Sequence, residues 1–508
     1  MAIQDEVINL FDFTGGLNTY FPEFQVSENQ ATDLQNINLF DRGFEKRRGD
    51  TAFNSSAMVS SSTAVTGLAY MKFNSATEFL NAVAGTKFFT SSSLSGTMAD
   101  KTGALTITAA QNNIWTAISF NDLQIWFGGA PNAPFTHDGT ASNAAALGGS
   151  PPSAATAFVA ANRVFAISTA ANPSILQWSI LSNPADWTGS GSGTQQVSKN
   201  DGESLLFGVP IGNNAAVLFK NTSTHKVLLD TAPFPVIPIQ KGTGAAGRWA
   251  FVVVDGVIYF ITPGKRMRAT LDGATFADFP NYIDDVWDSI NSARVPYIQG
   301  FYYEKLRQIH WLVSIGSATT NHYSIIWDLK HKCWLRHPTG YDANVVALVQ
   351  GRDFYAGHYD GKIYKKDVAS TYTDASETSP GTIDAYRQSF WTPPKGLSSV
   401  IQPRWVEHVV ESQTSGTFDI SYGFDFSPNQ STESQSMVGP GDLLDNTFIL
   451  DVSFLGGTTS IMRRTFIFGR GNVFQYKVRN ANPSEAFIYQ GGTIYLRPVD
   501  TRKMMLVP

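Results

Sequence analysis

The residue types best suited to chemistry in this chain are His331, Cys333 and His337, spaced H-x-C-x-x-x-H. Alternation along a strand would put all three on one face, where two imidazoles and a thiolate form a partial set for a soft metal ion. A structural site needs a fourth ligand, and none lies nearby, so the triplet reads as incidental strand residues. Turns such as Asp284-Asp285 and Asp360-Gly361 offer carboxylates without the Asp-x-Asp-x-Asp-Gly ladder of a calcium loop. Turn chemistry accounts for them. No G-x-S-x-G, H-E-x-x-H, Walker-type or G-x-G-x-x-G element falls between a strand and a helix, and the carboxylates are too scattered to nominate a glycosidase pair. No enzyme activity, cofactor or metal is expected.

Trp178, Trp187, Trp249, Trp287, Trp311, Trp327, Trp334, Trp391 and Trp405 could stack on sugar rings, but they lie inside apolar strand patterns, which makes core packing the better reading. The run Glu45-Lys46-Arg47-Arg48-Gly49 concentrates positive charge. It reads first as a solvated turn with salt bridges to Asp41 and Glu45, and second as a contact for DNA or an acidic neighbour through Lys46, Arg47 and Arg48. Against broad nucleic-acid binding stands the balance of 37 Lys and Arg against 42 Asp and Glu, because phosphate neutralisation requires a basic surface.

The elements that must position these residues are strands. Charged residues make up only 16% of the chain while aromatic residues reach 13%, and with 43 glycines this favours an all-β class rich in tight turns. Residues 297–367 carry the clearest pattern. Apolar and aromatic residues recur at strand spacing through 298–313, 323–327 and 333–335, then restart at 345–349, 354–357 and 362–364 after Pro338-Thr339-Gly340. A sheet-forming unit that ends and begins again is the mark of a radial repeat. Further units fall at 65–90, 105–137, 158–180, 205–229 and 250–270, with Asp255-Gly256 a strong hairpin turn. The expected fold is a β-propeller of five to seven blades over 51–368. A polar linker over 369–382 follows, then a β-sandwich-like domain over 383–508 with strands that include 447–452. Residues 282–290 have the most helical pattern outside the N-terminal arm.

A single cysteine excludes intrachain disulfides. No window approaches the roughly 18 apolar residues of a membrane span, and the N-terminus has no signal-peptide pattern. The expectation is a protein made in the cytoplasm without secretion and without a membrane anchor.

Residues 1–50 form an N-terminal arm. Ser27-Glu28-Asn29-Gln30 looks like a capping box opening a short helix whose buried face would hold Ala31, Leu34 and Ile37. Phe13, Gly15, Gly16, Leu17, Asn18, Asn29, Gln30, Ala31, Asp33, Asn36, Gly43, Arg48 and Gly49 fit the pattern F-x-G-G-[LI]-N … N-Q-[AS]-x-[DE]-x-x-N … G-x-x-x-x-R-x-G. In these residues the arm resembles the opening of the short-tailed phage (podovirus) tail nozzle proteins, the tail tubular protein B-like family. The resemblance implies a structural virion protein of the tail, assembled as a homo-oligomeric ring, a hexamer, that serves as conduit and gate for genome ejection. It also implies a neighbouring adaptor or tubular protein A-like ring, tail fibres, and duplex DNA passing without tight binding. Phe13, Gly15, Gly16, Asn18, Asn29, Asp33, Asn36, Arg48 and Gly49 would then serve assembly.

Two other classes stay open. A soluble propeller binding glycan or a receptor, such as an adhesin, needs no catalytic motif. A propeller hydrolase of the sialidase kind would carry repeated Ser-x-Asp-x-Gly-x-x-Trp turns, which are not found in this sequence.

Overall fold

The computed structural model describes residues 6–41, 43–140, 142–377, 381–392, 400–439 and 460–498, so the strand expected at 447–452 lies outside the described residues. The chain is nearly all β. Seven four-stranded antiparallel sheets follow one another, the first made of Val65–Lys72, Glu78–Ala84, Lys87–Ser92 and Ala99–Asp100. The sixth comprises Gln299–Tyr303, Gln308–Val313, Tyr323–Asp328 and Cys333–His337. These are the blades of a propeller, and their number settles at the upper end of the expected range.

Ring closure explains why the first residues after the arm belong with the last blade. Val345–Val349, Asp353–Gly357 and Ile363–Lys365 supply three strands of the seventh blade, and Thr51–Ala52 supplies the fourth by pairing with Tyr364 and Lys365. At the centre, the first strand of the seventh blade lies against that of the first. Between blades the packing is aromatic and aliphatic: the Phe207 and Phe251 rings of the fourth and fifth blades stack at 3.9 Å. Hairpin turns follow the local signals, as at Asp255-Gly256, where φ values of 50° and 78° join Val254 to Val257. The helical pattern near 282–290 becomes one short helix, Asp284–Asp288.

The arm departs from expectation. Instead of a helix after Ser27, the described residues form strands Gln30–Ala31, Asp33–Gln35, Ile37–Phe40 and Gly43–Lys46. The Gln30 amide oxygen does accept from the Ser27 N–H at 3.4 Å, the return half of a capping box, but the chain makes a single turn and leaves extended. The three-residue spacing of Leu34 and Ile37 mimics a helix for a physical reason. Asn36, at φ +54°, bends the chain from one sheet to another and resets the alternation, so both side chains end buried.

Those two sheets form the sandwich, built by the arm and the C-terminal portion together. One runs in the order Ser460–Phe466, Ile401–Glu411, Ile488–Pro498, Gly43–Lys46, Ile37–Phe40, with Glu6–Leu10 also paired to Ile488–Pro498. The other runs Asp33–Gln35, Ala385–Gln388, Phe474–Asn480, Thr417–Phe424, Ser431–Ser436. A continuous apolar core extends from Trp311 and Trp334 of the sixth blade through Leu17, Ala31 and Leu34 of the arm to Tyr476, Tyr489 and Ile494 of the sandwich. The tryptophans follow the packing reading. Trp178, Trp287, Trp311, Trp327, Trp334 and Trp391 are buried, and Trp187, Trp249 and Trp405 are half-buried.

Candidate functional site: the arm clasp

The arm residues picked out by the sequence converge on the seam between the sixth and seventh blades, the segment after them and the sandwich. Phe13 is buried edge-on against Phe44 and Tyr489, at ring separations of 5.4 and 5.7 Å, with the Arg387 guanidinium 4.8 Å over its face. Gly15 and Gly16 let the backbone approach closely. A Cβ on Gly16, which sits at φ +65°, would lie 2.6 Å from the Trp334 carbonyl oxygen. Gly16 and Leu17 pair in parallel with Gln30 and Ala31, and the Asn18 amide donates to Gln30 at 2.8 Å. The Asn18 side-chain oxygen, Oδ1, in turn accepts from the Tyr20 and Phe21 N–H groups, and Asn29 donates to Asp12 at 3.4 Å.

Asp33 pairs with Arg336 of the sixth blade and accepts from the Tyr386 hydroxyl at 2.8 Å. Asn36 is fully buried and reaches several parts of the molecule. Its amide donates to the Asp384 carbonyl at 2.9 Å and to Thr339 at 3.2 Å, and its side-chain oxygen accepts from Arg47 at 3.0 Å. Gly49 has the Thr373 backbone against it, with an added Cβ only 1.9 Å from the Thr373 oxygen.

The basic run is not a solvated turn. Lys46 is 1% exposed and donates to the Asn480 side chain and the Asn482 carbonyl, both at 2.8 Å; burial pulls its pKa down to about 8. Arg47 is 3% exposed and grips Asp374 with both terminal nitrogens, at 2.8 and 2.5 Å. Burial alone would lower the Arg47 pKa, but the Asp374 carboxylate more than offsets it and holds the guanidinium charged. Neither side chain is placed to meet phosphate, which corrects the DNA-contact reading for both. Asp41 pairs with Lys330 at 2.6 Å rather than with the run. Arg48 is half-buried beside Tyr372.

Beside this pair lies a second one. Lys366 of the seventh blade meets Asp50 at 2.5 Å, both side chains nearly or wholly buried, and Asp50 also accepts from Ser376 N–H and Oγ at 2.9 and 2.6 Å. Asp374 and Ser376 lie in the stretch expected to be a linker, yet they are buried anchor points. The sequence carried no local signal for them, since an Asp and a Ser in a polar Ser/Thr-rich stretch have the composition of a loop.

The histidine and cysteine triplet is dispersed among structural roles. His331 faces Asp328 at 3.2 Å and Asp41 at 3.5 Å, while His337 bonds the Tyr341 hydroxyl at 3.1 Å and the Ile37 carbonyl at 3.2 Å. Cys333 is buried, which pushes its thiol well above the usual range and leaves it a poor ligand. Among the described residues no group of three His, Cys, Asp or Glu side chains could hold a metal ion, and no helix is long and apolar enough to cross a membrane. In the clasp Arg47 and Lys366 are ion-paired, Lys46 is held by neutral amide oxygens, and the Asp33, Asp50 and Asp374 carboxylates each accept more than one hydrogen bond. Its chemistry is that of a joint.

No protein-family model and no curated protein matches the chain. Among solved structures it is similar to YCF48 from Cyanidioschyzon merolae, at 9% identity and TM-score 0.40 over 63% of this chain and 98% of that one. BamB from Moraxella catarrhalis matches at 10% identity and TM-score 0.37 over 72% and 98%. The WD40 β-propeller domain of Doa1 matches at 9% and 0.40 over 62% and 97%. Likenesses this distant say nothing about activity, and the fold rests on the strand pairing itself: this chain is a β-propeller protein with an added β-sandwich.

Proposed function

We propose that the chain is a structural subunit of a short phage tail, a homo-oligomeric ring at the distal nozzle that guides duplex DNA during ejection. The observation that supports this reading is the role of the arm residues that carry the nozzle resemblance. Gly16 brings the arm's backbone against Trp334 of the sixth blade, Asn36 bonds Thr339 and Asp384, Asn18 fixes the arm on itself through Gln30, and Gly49 packs on the Thr373 backbone beyond the seventh blade. The pattern is therefore an architectural one, as a rigid ring subunit requires, and not a catalytic one. By the resemblance the ring is a hexamer in contact with an adaptor or tubular protein A-like ring and with tail fibres, and the protein is at work in the virion.

Mass photometry of the purified protein, together with negative-stain images and mass spectrometry of virion tails, tests the proposal. Ring-shaped assemblies and a place in the tail are expected. A chain that stays monomeric and is missing from purified virions would end it; a monomer in solution that is present in tails would not, since rings can close on an assembly platform.

A further inference from the structure

The arm and the sandwich enclose a second feature that the joint does not use. The exposed loop of residues 20–25 stands opposite the hairpin between Thr417–Phe424 and Ser431–Ser436, and between them opens a cleft of about 670 Å³. That volume falls in the range of small-molecule sites. Its walls are rings: Phe24, 38% exposed, and Phe426, 51% exposed, meet at 6.1 Å and 75°, and Phe426 leans on buried Trp391 at 5.1 Å.

The polar groups lining the same cleft are a carboxylate, amides and the Ser427 hydroxyl. Glu23 is held by the Trp391 indole N–H and by the Gln475 amide, which donates to it at 3.3 Å. Gln475 is itself buried; it donates to the Ser389 carbonyl at 2.9 Å and accepts from Gln388 at 2.9 Å. Gln430 completes this set. The Trp391 backbone N–H also donates to the Glu23 carbonyl at 3.2 Å, so the arm loop is seated on the sandwich and the cleft is pre-formed.

We propose that this cleft is a saccharide-binding site, with a neutral pyranose packed into the corner made by the near-perpendicular Phe24 and Phe426 rings and its hydroxyls bonded to Glu23 and Gln430. Three features favour a sugar over the other ligands that aromatic rings accept. Glutamine amides both donate and accept, which matches hydroxyls and is wasted on a cation. Both N–H donors to Glu23 go to one carboxylate oxygen, Oε2, which orients the other as a fixed acceptor for a hydroxyl. Among the described residues no Lys or Arg lines the cleft, so these walls offer nothing to an anionic headgroup or phosphate. Two large exposed phenylalanines on facing loops cost the isolated chain solubility, and stacking on C–H faces of a sugar gives them a use.

The test is saturation-transfer NMR and tryptophan fluorescence on the full chain with glucose, galactose, N-acetylglucosamine, mannose and rhamnose, beside choline and a proline-rich peptide. The expected result is transfer to at least one pyranose with a dissociation constant on the order of 1 mM, weakened about tenfold in Phe426→Ala and in Phe24→Ala. Gln430→Ala should weaken it as well while leaving the far-ultraviolet circular dichroism unchanged. No transfer to any of the sugars, transfer undiminished in the Phe24→Ala/Phe426→Ala double variant, or binding of choline or the peptide in place of the sugars would overturn the proposal. None of these readouts depends on assembly into a tail, so the result stands apart from the nozzle proposal.

Discussion

Arg47 of the arm and Asp374 of the segment beyond the seventh blade form a two-pronged ion pair across 327 residues of sequence, at 2.8 and 2.5 Å, with side-chain exposures of 4% and 2%. It lies next to the place where Thr51–Ala52 closes the propeller. The pair thus locks the start of the blade series to its end.

Removing one partner leaves a buried charge alone. Asp374→Asn and Arg47→Met should each cost about 3–5 kcal/mol of unfolding free energy, with Arg47→Met/Asp374→Leu recovering much of it because the double change removes both desolvation penalties. Urea unfolding of the three variants measures this. Equal losses in the single and double variants would contradict the coupling.

Deleting residues 1–49 takes strands from both sheets of the sandwich, including Ile37–Phe40, Gly43–Lys46 and Asp33–Gln35. The expected outcome is an insoluble or partly unfolded chain that binds a hydrophobic dye, not a folded molecule lacking only its docking arm. Sedimentation and dye fluorescence decide between the two.

Gly16→Ala and Gly49→Ala should each destabilise the clasp by about 1–3 kcal/mol, since the new methyl would fall on backbone atoms. Gly256→Ala is the control. It shares the positive φ of Gly16, at 78°, but has no atom within 4 Å of the added Cβ, so only its hairpin is strained. Protease cleavage within the arm should rise in the first two variants and not in the control.

Acid should weaken the fold through buried neutral histidines. Burial lowers His310 and His408 from 6.5 to about 3 and takes His337 well below its ordinary value. Between pH 3 and 6.5 the unfolded chain binds more protons than the folded one, so stability is complete above about pH 6.5 and falls as pH drops through that window. The slope approaches about 1.4 kcal/mol per pH unit for each histidine. Denaturation at pH 7.5 and 5.0 measures it, and His408→Gln should flatten the dependence; an unchanged slope would count against the assignment.

Duplex DNA should bind weakly. With Lys46 and Arg47 committed inside the clasp and a formal net charge of −5, no appreciable affinity is expected by fluorescence anisotropy at about 0.15 M salt. Sub-micromolar binding that falls steeply with salt would show a basic surface elsewhere.

Much of the fold was legible from the chain alone because its signals are local. Strand alternation and two-residue turns such as Asp255-Gly256 act over a few neighbours, so the blades, the all-β class and the tryptophan core could be read directly. Tertiary structure alone decided the arm. The spacing of Ala31, Leu34 and Ile37 suits a helix, and only pairing with Gly16–Leu17, Ala385–Gln388 and Gly43–Lys46 makes it three strands, with a bend at Asn36 between the last two. Likewise nothing near Arg47 in sequence names Asp374, and nothing near Phe24 names Phe426 or Trp391. A strand's own pattern states which face is buried; which distant strand or carboxylate it meets is set when the ring closes, and that depends on contacts spanning most of the chain.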